Sequence, residues 1–454
     1  NLLKRKADDD YYHALKKHAP STFCHPKCWK DEQYSQKPLY LNHRPANAEG
    51  DPITLLHPLF ATFYDDCKTI QPTRTDAKFV MEITDHMPEA FADENARMIK
   101  FHEIYYKHYK MQLNQVKVGN CTTDGSGFDT AGHLLVVNLE VKPELGLGNG
   151  CPYIQGASYY GIYIANLAKS FKTQTRLPCF LLYLAGPYIG IAGIILADSV
   201  TCSPLTPVLP LLHLCHDKQA MFQLAQTFHA LNKAVVSLQG VYNQGPPQIS
   251  PTQRSFPYIN SFKTLDGQML EFNYKSKLHG LVFHVERSND YSCTLPKDLL
   301  VKFAQDYGVN AHEACAEMGI APQLFGCYSV LGGWKVVVME YMKDDYSNLA
   351  EEYYEPSSVD EIKKSVKEKV EKMHAKGFVH GDLRQVNILR QKNNGNIVLV
   401  DFDWAGRIHE AKYPLYMNPN LPRHPDATDL GEITTEHDLW MVEHLFPKTK
   451  AFTQ

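Results

Sequence analysis

Asp382 stands five residues before Asn387 in His-Gly-Asp-Leu-Arg-Gln-Val-Asn, and Asp401 opens Asp-Phe-Asp-Trp fourteen residues later. Transfer of a phosphoryl group needs a carboxylate near the acceptor hydroxyl and hard oxygen ligands for magnesium. Asp382 is of the type that serves as the first, Asn387 and Asp401 as the second. A separate constellation lies upstream, where His-Leu-Leu-Val-Val-Asn-Leu-Glu-Val-Lys ends with Glu140 and Lys142 two residues apart. Strand alternation sends both to one side. Asp124 precedes Glu140 by 16 residues, beyond a glycine-containing turn suited to a hairpin. Two carboxylates and a lysine suit metal-dependent phosphodiester hydrolysis: Asp124 and Glu140 hold magnesium, and Lys142 orients or activates the attacking water. Asp129 competes with Asp124, but it falls where the turn itself belongs.

The elements that must position these groups are legible around them. Ile362, Val366, Val370 and Met373 recur at helical spacing, with Ser357 or Ser358 to cap the helix and Gly377 to end it. An apolar strand runs directly into Asp401. After Lys142, an amphipathic helix carries Gln155 and Tyr159 four apart on one face. Asp93–Leu113 and Asp217–Gln239 also read as helices. The uncharged run from Leu177 to Ala197 is 21 residues long, enough to span a bilayer. Its two prolines and the Gly186-Pro187 turn signal favour two buried strands instead, and no membrane is expected.

Composition bounds the rest. With 454 residues and 44% hydrophobic content the chain holds two or three packed domains. A net charge of -4 announces no nucleic-acid affinity by bulk charge. Lys169–Arg176 is the nearest candidate for a basic groove. The 11 cysteines lack a dense, even framework, which favours reduced thiols in a cytosolic or nuclear setting. Cys24 and Cys28 flank a histidine like half a zinc site, without a matching second pair. The chain begins at Asn1, which leaves room for a leader.

The C-terminal pieces resemble the protein kinases, whose pattern is H-R-D-x-x-x-x-N followed by D-F-G. The resemblance implies Asp382 as base, Arg384 as a cation steadying the phosphoryl group, and Asn387 and Asp401 as magnesium ligands. It makes Lys302 the phosphate-pairing strand lysine, with Glu313 as its helix partner and Glu317 as runner-up. Met339 falls at the gatekeeper position, and Glu340 and Met342 offer hinge backbone groups to the adenine of ATP. Asp438 and Trp440 resemble the helix that braces the catalytic loop. Three departures bear on activity: no glycine-rich loop precedes Lys302, Gly381 replaces the loop arginine, and Asp403 replaces the third-position glycine. The N-terminal half resembles the P-D-(D/E)-x-K endonuclease-like superfamily, with Gln155 as a supporting residue and Glu94 as an extra acid. Together the halves resemble crinkler-type effectors and mushroom kinase-like proteins. That likeness implies DNA as a partner, action in a nucleus or cytoplasm, with secretion into another cell as one route, and a homodimer by analogy.

The expected architecture is thus α/β and α+β multidomain. A loop-rich segment covers 1–75, a restriction-endonuclease-like mixed sheet flanked by helices 76–242, a linker 243–264, and a truncated two-lobed kinase-like domain 265–454. The expected function is a Mg2+-dependent endonuclease module coupled to an ATP-binding kinase-like module. The alternatives are a phosphotransferase with a structural N-terminal half, and a non-catalytic pseudokinase scaffold.

Overall fold

The computed structural model describes residues 2–35, 37–118, 121–147, 150–167, 175–250, 252–288, 295–342 and 345–446. The chain divides into two compact units, Asn1–Ile259 and Asn260–Gln454.

The first unit is a mixed sheet covered by helices. Its strands are β1 (Tyr40–Leu41), β2 (Gly125–Phe128), β3 (Leu135–Lys142), β4 (Cys179–Ala185), β5 (Tyr188–Leu196) and β6 (Val200–Pro204), in the spatial order β1-β6-β5-β4-β3-β2. β3 and β4 are parallel, with Glu140 opposite Tyr183, whereas β2 pairs antiparallel with β3. Helices α1 (Pro58–Thr69), α2 (Arg74–His86), α3 (Glu94–Tyr109), α4 (Pro152–Leu167) and α5 (Lys218–Asn243) flank this sheet. α4 makes the crossover that a parallel strand pair requires. The apolar run of 177–197 forms β4 and β5, joined at Gly186, which takes a left-handed φ of 56°. No helix among the described residues is long and apolar enough to cross a membrane.

Two expectations need correction here. The first 75 residues are rich in helix rather than loop, and Pro20, Pro26 and Pro58 each stand in the first turn of a helix. Proline at that position forfeits no hydrogen bond and presets φ, so these prolines mark helix starts rather than loops. The proline-rich stretch after α5 is not free either. The buried Arg176 guanidinium donates to the carbonyls of Gln253 and Arg254, each at 3.0 Å, and Tyr258 N–H donates to Leu55 at 2.8 Å. Residues 244–259 therefore belong to the first unit.

The second unit opens with an antiparallel sheet of β7 (Ser261–Lys263), β8 (Met269–His279), β9 (Val282–Arg287), β10 (Asp298–Ala304), β11 (Leu324–Val330) and β12 (Trp334–Glu340), ordered β7-β8-β9-β10-β12-β11. Helix α6 (Val309–Glu317) lies between β10 and β11. Helix α7 (Pro356–Ala375) begins with Pro356 in its first turn and no side-chain cap, so neither Ser357 nor Ser358 caps it. It buries Ile362, Val366, Val370 and Met373. Gly377, at φ 83°, ends the helix and turns the chain into the loop that carries Asp382. Helix α8 (Thr435–Glu443) follows, opened by a capping box from Thr434 to His437.

Candidate active sites

In the second unit the loop that carries Asp382 is fixed by α8. Asp438, fully buried in α8, accepts from the backbone N–H groups of His380 and Gly381, each at 2.8 Å, and lies 3.0 Å from His374 Nε2. Gly381 supplies the left-handed turn, at φ 80°, that points both amides at one carboxylate. Trp440 stacks on His444 at 3.7 Å instead of on the loop.

Above this brace, Asn387 donates through Nδ2 to the carbonyl and to Oδ2 of Asp382, both at 2.9 Å. Arg384 forks onto the same carboxylate, with Nη2 2.7 Å from Oδ2 and Nε 2.9 Å from Oδ1. A group that sequence reasoning missed completes the cluster: Arg423 donates through Nη2 to Asp382 Oδ1 at 2.9 Å. No spacing rule links Arg423 to the loop, because 41 residues separate it from Asp382.

Asp401 has a left-handed φ of 71°, a conformation that a non-glycine residue holds only where its surroundings over-determine it. Here Lys302 does so: its ammonium pairs with Asp401 and with Asp403, the latter at 2.6 Å. Burial pushes the Asp401 carboxyl up, but Lys302 prevails and holds it below its ordinary range. Burial and the neighbouring Asp401 charge raise Asp403 to about 6. The lysine's partners are thus the two acids of Asp-Phe-Asp. Neither Glu313 nor Glu317 pairs with it among the described residues, and Glu317 is exposed. α6 instead docks through the residue beside Glu313. Burial lowers His312 to about 4; its ring stacks on Phe402 at 4.6 Å, with Nδ1 2.7 Å from Tyr307 Oη and Nε2 2.9 Å from the Pro322 carbonyl.

A cleft lies over this cluster. Val282, Leu300, Met339, Glu340, Met342 and Leu389 line it together with Lys302, Asn387 and Asp401. Apolar walls with a few convergent polar groups are the usual form of a small-molecule site.

Residues 324–442 match the protein kinase domain family model. The matched span contains β12, the loop of Asp382 and Asn387, Asp401 and Asp438, but not Lys302. Among solved structures, the PK-1 kinase of Cydia pomonella granulovirus matches at 14% identity and a TM-score of 0.31, over 38% of this chain and 65% of the viral one. No curated protein matches the chain. The C-terminal part is therefore a kinase-like domain within a mixed α/β multidomain chain.

In the first unit β3 is buried at every position, because α3, α4 and α5 cover its faces. Glu140 is consequently not at a solvent-facing strand end. It is wholly buried, and neither carboxylate oxygen has a hydrogen-bond partner. Burial, reinforced by the nearby Asp124, raises its carboxyl well above the ordinary value. Asp124 Oδ2 accepts from Val141 N–H at 2.8 Å; burial, with Glu94 adding to it, raises Asp124 to about 6. Lys142 Nζ reaches Glu94 at 3.4 Å. Asp129 instead caps its own turn, accepting from His133 and Leu134 at 2.7 and 2.9 Å. Gln155 is buried and accepts from Cys24 Sγ at 3.5 Å, and Tyr159 donates to the Thr122 carbonyl at 2.5 Å. No three His, Cys, Asp or Glu among the described residues converge as a metal cage, so Cys24 and Cys28 are not part of one there. The basic stretch 169–174 lies outside the described residues.

Proposed function

We propose that residues 260–454 bind ATP with magnesium and transfer its terminal phosphoryl group to a hydroxyl. The observation that carries this reading is that Lys302, Asn387 and Asp401 line one largely apolar cleft, with Asp382 hydrogen-bonded to Asn387 and Lys302 paired with Asp401. Asn387 spends Nδ2 on Asp382, which leaves its Oδ1 as an oxygen donor beside Asp401, a hard pair that fits magnesium. The metal would neutralise charge on the phosphates. Asp382 then orients the acceptor hydroxyl and takes its proton, Arg384 faces the transferred group, and Lys302 exchanges a carboxylate for phosphate oxygens. The test is calorimetric titration of the chain with MgATP. Micromolar binding that weakens about ten-fold or more in Lys302→Met supports the reading, as loss of a charge-assisted contact requires. Equal affinity in both proteins sinks it.

A second reading rests on a separate observation, the orphaned carboxylate of Glu140 beside Asp124 and Lys142. Two buried carboxylate oxygens without a donor fit a divalent cation, and the strand, helix, strand order of β3, α4 and β4 supports the endonuclease-like resemblance. No three acids converge there among the described residues, so a cation held by Asp124 and Glu140 would complete its shell with backbone oxygen or water. Bound magnesium would polarise a phosphodiester, while Lys142 orients water. Magnesium-dependent plasmid nicking, abolished by EDTA and by Lys142→Ala, is the expected result. Nicking that survives Lys142→Ala assigns the cleavage elsewhere, and no nicking by the wild type removes the nuclease reading for this substrate.

A further inference from the structure

Asp382 is masked. A carboxylate offers about four lone-pair sites, and here four N–H donors occupy them: Nε and Nη2 of Arg384, Nη2 of Arg423 and Nδ2 of Asn387. Asp382 is only 6% exposed. A general base has to approach its hydroxyl to hydrogen-bond distance, so one donor must leave before an acceptor can enter. Arg384 and Asn387 belong to the catalytic loop itself. Arg423 belongs to a separate excursion of the chain, closed at its base by the Lys412–Glu432 bridge, Tyr413 N–H to the Gly431 carbonyl at 2.9 Å, and Met417 N–H to Asp429 at 2.9 Å.

The seat that Arg423 occupies is built for a cation. Besides Asp382, its Nη1 donates to the Gly381 carbonyl at 3.2 Å, and its guanidinium lies over Trp404 at 4.6 Å and near Tyr413 at 5.9 Å. The side chain is 7% exposed, and its Nε has no partner. A carboxylate, a carbonyl and an aromatic face together hold a guanidinium better than any one alone.

We propose that Arg423 is an internal stand-in for the phosphoryl acceptor, and that the acceptor which displaces it brings a cationic nitrogen together with its hydroxyl, as an arginine-flanked serine does. In the transfer step the acceptor oxygen bonds to the terminal phosphorus of ATP, the bond from that phosphorus to the bridging oxygen breaks, ADP leaves with that oxygen, and the hydroxyl proton passes to Asp382. This rests on the phosphotransferase reading above.

The experiment compares the full chain with Arg423→Ala and with Arg423→Gln, which retains bulk should the alanine variant fail to fold, as monitored by thermal melting. Consumption of MgATP is followed alone and with the tripeptides Arg-Ser-Arg and Glu-Ser-Glu, and MgATP affinity is measured on the same proteins. A base made available again should raise MgATP consumption about ten-fold or more in a folded variant, toward the range general-base catalysis contributes, with affinity for MgATP within about two-fold. Arg-Ser-Arg should accelerate it further and Glu-Ser-Glu should not. A folded variant that consumes MgATP no faster than the wild type overturns the mask. Acceleration by Glu-Ser-Glu equal to that by Arg-Ser-Arg overturns the cationic acceptor. Failure of the wild type to bind MgATP instead removes the reading of the cleft on which the mask depends.

Discussion

Replacing Glu140 by glutamine should make the first unit more stable without metal and indifferent to magnesium. Glu140 is fully buried with both oxygens unpartnered, and its carboxyl is held well above the ordinary 4.5 by burial and by Asp124. The folded chain therefore keeps a proton that the unfolded chain has already released above that value. The stability this confers is complete below about pH 4.5 and is lost as pH rises toward the folded value. Each pH unit inside that window removes about 1.4 kcal/mol per group. Asp124, raised to about 6, adds to the loss between its ordinary 3.8 and that value. For a unit of this size each kcal/mol lost lowers the melting temperature by roughly 2–4 °C. Differential scanning calorimetry in EDTA from pH 5 to 7.5 is the assay. The wild-type transition should fall with pH, that of Glu140→Gln should fall much less, and magnesium at about 100 times its dissociation constant should restore the wild type alone by about 3 kcal/mol. A wild-type transition that stays level in EDTA, or magnesium stabilising both proteins equally, would refute the reasoning, since a buried ionisable ligand could give neither.

Asp438→Asn should destabilise the second unit by about 3 kcal/mol, because an amide cannot accept both the His380 and Gly381 N–H groups as the carboxylate does; urea unfolding measures it, and a midpoint unchanged from wild type would show the brace to be dispensable. Gly156→Ala should cost about 1–3 kcal/mol in the first unit. The added Cβ overlaps Leu181 Cδ1 and comes within 3.2 Å of Glu140 Cγ, so α4 would have to lift from the strand that carries the carboxylate. Thermal melting checks this, and wild-type stability would mean that the helix shifts freely.

By itself the sequence determined what depends on neighbours along the chain. Asp382 and Asn387 were recognisable because a short loop between a helix and a strand brings them together over few bonds, Asp401 because it follows an apolar strand, and the periodicity of Ile362 to Met373 dictated that helix directly. The turn at Gly186 and the two strands around it were legible for the same reason, since a break in a long apolar run is a local signal. Proline misled the reading of the first 75 residues, because the same residue that ends regular structure also begins helices. Tertiary structure decided everything that rests on distance through space. Glu140 and Lys142 looked like a charged strand end, and only helices covering both faces of β3 turned the glutamate into a buried, partnerless acid. Glu313 had the residue type to pair with Lys302, but the orientation of α6 gave the docking role to His312 and left the lysine to Asp401 and Asp403. Arg423 had no sequence signal at all: its distance of 41 residues from Asp382 is closed by an excursion of the chain that no local pattern encodes, and a charge reveals its work only once packing has removed the water that would otherwise compete for it.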